Sequence, residues 1–115
     1  MLVAFSVAPS GTGPDGGTGP DGGTGRDDGS VSEAVAAAVR VVRESGLPNR
    51  TSSMFTEIEG EWAEVMDVVH RATQEAGRYG SRVSLVLKAD IRPGRTGEID
   101  GKVARVDEAI KRSHP

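Results

Sequence analysis

Along this chain apolar residues recur at two spacings, every second position and every third or fourth, and the switches between them mark the elements. From Leu2 to Ala8 the bulky residues Val3, Phe5 and Val7 share one side, and Leu2, Ala4, Ser6 and Ala8 share the other. That alternation predicts a strand over residues 2–8 with one buried face. Pro9 has no N–H for a ladder bond, so the strand is expected to end there. Residues 82–92 alternate more clearly. Val83, Leu85, Leu87, Ala89 and Ile91 form one face, Ser84, Val86, Lys88, Asp90 and Arg92 the other, and Pro93-Gly94 stops the strand. Three segments carry a helical stripe instead. Residues 30–45 place Val31, Ala34, Val35, Ala38, Val39 and Val42 together. Residues 61–77 do the same with Trp62, Val65, Met66, Val69 and Thr73, ending at Gly77 or Gly80. Residues 97–112 align Ile99, Val103, Val106 and Ile110. Ser30 with Glu33 has the form of a capping box, and Gly46 followed by Pro48 is a helix stop. Thr96 or Asp100 is placed to cap the last helix, and Lys111-Arg112 suits its C-terminal end.

Between the first two helices, residues 49–53 and Phe55–Glu59 read as short strands reversing near Met54. Thr, Phe and Ile favour a pleated backbone. Gly60 can end the second of these strands, and Glu61 suits the positive end of the helix headed by Trp62. The order is β-α-β-β-α-β plus a C-terminal helix. That is the ferredoxin-like split βαβ plan, an α+β fold with a four-stranded antiparallel sheet and helices on one face. Alternation puts Ser6, Glu57, Lys88, Asp90 and Arg92 on the uncovered face, beside the small or apolar Ala4 and Val86. A face of that mixture is expected to meet another subunit or a ligand.

Composition narrows the function classes. The 115 residues predict one domain, with residues 11–29 inserted as a flexible low-complexity loop between the first strand and the first helix. That loop repeats Gly11-Thr12-Gly13-Pro14-Asp15-Gly16 as Gly17-Thr18-Gly19-Pro20-Asp21-Gly22 and then, less cleanly, from Gly23 to Asp28. It lacks the Gly-Lys-Ser/Thr ending of a phosphate-cradling loop. Its Gly-x-Gly-x-x-Gly spelling leads into another repeat instead of a helix, and its period of six lacks the apolar position of a calcium-binding nonapeptide repeat. With no Cys, disulfides, thiol chemistry and Cys-ligated zinc are excluded, and no metal site is expected. A net charge of -3 and 3% aromatics argue against nucleic acid as a partner. No apolar run is long enough to span a membrane, and the apolar start has no basic head, so a cytoplasmic protein is expected. His70 has no Ser, Cys or second His partner in view, and packs or faces solvent on this reading.

The run Ser52-x-Met54-x-Thr56-x-Ile58-Glu59-Gly60-x-Trp62, preceded by Glu44-Ser45-Gly46-Leu47, resembles the thiamine-binding protein family of ferredoxin-like fold. Ser6-Val7-Ala8-Pro9-x-Gly11-Thr12, Lys88-x-Asp90-x-Arg92 and Lys102-Val103 also fit. The resemblance implies a homo-oligomer, a homodimer or a homotetramer of paired sheets, that binds thiamine or its pyrimidine part without an established reaction or cofactor. Ligand-binding residues are then expected among Ser6, Thr12, Met54, Thr56, Glu57, Glu59, Lys88, Asp90 and Arg92. Carboxylates at Glu57, Glu59 or Asp90 would attract a thiazolium. Ser6, Thr12 or Thr56 would hydrogen-bond an aminopyrimidine, and Met54 would supply a soft apolar wall. Two alternatives stand beside this reading. One is a ligand-free structural or regulatory oligomer; the other is an enzyme on the same scaffold, although no paired carboxylates mark an acid–base site.

Overall fold

The computed structural model describes residues 1–11 and 29–113, with only the backbone of residues 29–31. Thr12, most of the repeat loop and the Ser30–Glu33 capping box lie outside the described residues or side chains. In chain order the elements are β1 (Leu2–Ser10), α1 (Gly29–Glu44), β2 (Asn49–Thr51), β3 (Thr56–Glu59), α2 (Trp62–Ala76), β4 (Arg82–Asp90) and α3 (Glu98–Ser113). A single 3₁₀ turn, Gly77–Tyr79, joins α2 to β4. The strands form one antiparallel sheet in the order β2-β3-β1-β4. This is the ferredoxin-like arrangement expected from the element order.

The period-two pattern decides which face is buried. Val3 is opposite Ile58 and Phe5 is opposite Thr56, and all four face α1 and α2. Ala34, Ala38 and Val42 of α1, with Val65, Val68, Val69, Ala72 and Ala76 of α2, close over them. Alanines at the helix contacts let the two helices sit close to the sheet and to each other. Leu2, Ala4, Ser6, Glu57, Val86, Lys88 and Asp90 share the opposite face by register. No described helix covers the middle of that face, where Val86 is 56% exposed. The start of α3 docks at one end of it, where both carboxylate oxygens of Glu59 accept the Glu98 N–H at 2.9 and 3.0 Å. The Ile99 N–H adds a longer bond of 3.4 Å to the same carboxylate. Glu59 is thus a tertiary N-cap, supplied by β3 to a helix nearly forty residues later.

Several boundaries differ from the sequence expectation, each for a local reason. β1 continues through Pro9 to Ser10, paired with β4 as far as Ser10↔Arg82. Its β3 neighbour stops opposite Phe5, so one edge of β1 is unpaired at Pro9 and a missing N–H is tolerated there. β4 ends at Asp90, because its partner β1 begins at Leu2. The hairpin turns over Ser52-Ser53-Met54-Phe55, leaving β2 and β3 shorter than the extended runs suggest. Trp62 does not join the packed stripe of α2. It is 57% exposed, and Val68, Ala72 and Ala76 bury instead. On α3 only Ile99 of the four-residue stripe is buried; Val103, Val106 and Ile110 are about half exposed.

Candidate functional site

The expected site residues fall into separate groups when the sheet is assembled. Thr56 and Met54 lie at the hairpin end of the molecule, next to β1 and α1. Here the Ser52 N–H donates to the Phe55 carbonyl at 2.9 Å. The Ser52 hydroxyl also donates to that carbonyl, at 3.0 Å, and accepts the Phe55 N–H at 3.3 Å. This hydroxyl-braced turn holds Met54 out over the start of the helix layer. Between turn and helix is a hollow of about 120 Å³, walled by Phe5, Val35, Val39, Met54, Phe55 and Thr56. Ser6 also lines it, although its register with Val86 turns its side chain to the open face, so its main chain is what it offers. Thr56 is buried, whereas Met54 is 75% exposed, a flexible thioether at the mouth.

A second group stands on the open face. Glu57, Lys88 and Asp90 surround a hollow of about 150 Å³ with Leu2, Ala4 and Lys102 from α3. Lys102 is ion-paired to Asp90. That hydrogen bond holds the Asp90 carboxyl below the usual carboxylate range, with help from the charges of Lys102, Arg92 and Lys88. At the edge of the same face, Arg105 donates to Glu98 at 2.7 Å and lowers its carboxyl likewise, assisted by Arg95 and Arg92.

Two further residues go elsewhere. Glu59 is buried, and its carboxylate is occupied by the amides of α3. Arg92 lies past the end of β4 beside Trp62, in a third hollow. The sequence expectation did not include Ser52, Val35, Val39 or Phe55 at the hairpin hollow. Ser52 was legible within the Ser52-x-Met54-x-Thr56 run. Val35 and Val39 sit at the edge of the α1 stripe, where periodicity alone does not separate core from pocket wall.

The hollows differ in charge. Of these three hollows, the hairpin hollow has no Lys, Arg, Asp or Glu in its described lining, whereas the other two have both signs of charge. Its mixture of hydroxyls, main chain and apolar side chains suits an uncharged ring with a few polar atoms. Among the described residues there is no group of three or more His, Cys, Asp or Glu able to hold a metal ion. No described helix is long and apolar enough to cross a membrane.

Comparison with known proteins agrees with this architecture. The family model described as thiamine-binding protein matches residues 23–107. A UPF0045 protein of Mycobacterium bovis is 47% identical over 113 residues, 97% of this chain and 96% of that one. The structure of a domain of unknown function, DUF77, from Bacillus cereus superposes with a TM-score of 0.67 at 31% identity, covering 89% of this chain and 85% of that one. A hypothetical protein of Methanocaldococcus jannascii superposes with a TM-score of 0.71 at 25% identity, covering 93% and 95%.

Proposed function

The chain belongs to the thiamine-binding protein family, and from that premise we propose that it is a non-catalytic binding protein for thiamine or its pyrimidine part. The observation that carries the choice of site is the uncharged lining of the hairpin hollow. Thiamine carries a fixed positive charge on its thiazolium. The open-face hollow and the hollow beside Trp62 each set Lys or Arg beside their carboxylates, and a cation would have to approach those like charges at reduced dielectric. In the hairpin hollow the aminopyrimidine lies against Phe5 and Val39, with Thr56 as the hydroxyl partner and Met54 closing over it. The thiazolium points outward. A volume of about 120 Å³ suits one ring, not a whole two-ring ligand, which agrees with recognition centred on the pyrimidine.

The open face is proposed as the self-association surface of a homodimer or homotetramer. Val86 there is 56% exposed, and Ala4, Ser6 and Ser84 leave it shallow enough for another sheet to approach. Glu57, Lys88 and Asp90 on this reading pair across the interface instead of holding ligand. Native mass spectrometry with and without thiamine tests both parts. The expected result is a dimer or tetramer that gains thiamine in whole-number steps. A multimer that ignores thiamine would remove the ligand assignment, and a monomer would remove the interface.

A further inference from the structure

Trp62 is the chain's one tryptophan, and it heads α2 with 57% of its surface in water. Beside it Ile91 is 58% exposed. Two large apolar side chains placed together in solvent need an explanation that core packing does not give. The cleft between them holds about 200 Å³ and is completed by Arg92, Pro93, Gly94 and Arg95. The Arg95 N–H donates to the Arg92 carbonyl at 3.1 Å, and Gly94 takes φ +80°, so the chain doubles back there. That turn brings both arginines to one hollow. Arg95 is 3.6 Å from Glu98 and about half exposed. Arg92 makes no ion pair among the described residues. Glu61 is the one acidic residue in the described lining, and it caps the head of α2 together with Glu64, its N–H donating to the Glu64 carboxylate at 2.9 Å.

We propose that this cleft is a second binding site, for a phosphorylated planar heteroaromatic compound of the mononucleotide class. The indole face and Ile91 offer a stacking surface for a flat ring. The guanidinium forks of Arg92 and Arg95 match a phosphate, which accepts two parallel hydrogen bonds from each fork. The site is independent of the hairpin hollow. β1 runs from one to the other, with Met1 at the cleft and Phe5 to Val7 at the hollow. The two differ in charge: the hairpin hollow has no charged residue in its described lining, whereas the two arginines of the cleft repel a thiazolium and attract a phosphate.

The lone tryptophan reports on the cleft directly. The full chain is titrated with adenosine monophosphate, adenosine and inorganic phosphate while Trp62 emission is followed. Adenosine monophosphate is expected to change the emission saturably, with adenosine requiring about tenfold more for half-saturation because it lacks the arginine contacts. Arg92→Ala is expected to raise the half-saturation for the nucleotide by about tenfold without moving the melting temperature, since the side chain is exposed. By calorimetry, Trp62→Phe should weaken the nucleotide severalfold. Three results would each overturn the proposal. One is no saturable change with the nucleotide. Another is equal response to adenosine and its monophosphate with no effect of Arg92→Ala. The third is an emission shift that follows protein concentration alone, which would mean a second copy covers Trp62.

Discussion

Gly80 shows how narrowly single residues are fixed. A Cβ added there would lie 2.4 Å from the Ser10 carbonyl oxygen and 2.9 Å from the Ser10 nitrogen, both main-chain atoms that cannot turn aside. Gly80→Ala must therefore push the end of β1 from its place. A loss of about 1–3 kcal/mol in denaturant unfolding is expected, the usual range for overpacking. An unchanged midpoint would mean that the approach of Gly80 to Ser10 is looser than described. Glu59 is the second such residue. Glu59→Ala leaves two amides at the head of α3 without an acceptor and should cost about 1–2 kcal/mol, the range of a lost N-cap. Faster hydrogen exchange confined to the first turns of α3 would locate the effect. The sequence reading placed Glu59 among the ligand-binding residues. Its partners could not be read there, because they are backbone amides brought in by tertiary packing.

At the scale of elements, the helices and strands were legible wherever a face is buried against the same domain. The β1 alternation and the Val65–Val69 stripe follow from that pressure. α3 obeys a different rule. Its stripe has the right spacing, yet Val103, Val106 and Ile110 stay about half exposed, so its apolar pattern does not describe packing among the described residues. Its first turns are instead held by charge: the Glu59 carboxylate, Asp90 with Lys102, and Glu98 with Arg105. Asp90 and Glu98 titrate lower in the folded chain than unfolded, so the stability they contribute is present above the ordinary carboxylate range. It is lost as pH falls through their lowered folded values. Protection of α3 amides, corrected for intrinsic exchange, should thus be level from pH 7 to about 5 and fall below about pH 4. Loosening between pH 5 and 7 would contradict this reading of the ion pairs.

For the whole molecule, the family and the fold could be read from the Met54–Trp62 run and the element order, because both are carried by local sequence. The division of the expected site into a hairpin hollow, an open face and a cleft at the far end could not. A one-residue step along a strand reverses the face, so Thr56 and Glu57, adjacent in the chain, lie on opposite sides of the sheet. The central claim is that thiamine is taken in the hollow that carries no charge. Calorimetric titration of thiamine into the wild type and Met54→Lys tests it most directly. Met54 is 75% exposed, so the substitution adds a cation at the mouth without disturbing the core. Thiamine affinity is expected to fall by about tenfold or more while the free neutral pyrimidine is much less affected, and the melting temperature should stay put. Equal thiamine affinity in the two proteins would place the ligand elsewhere.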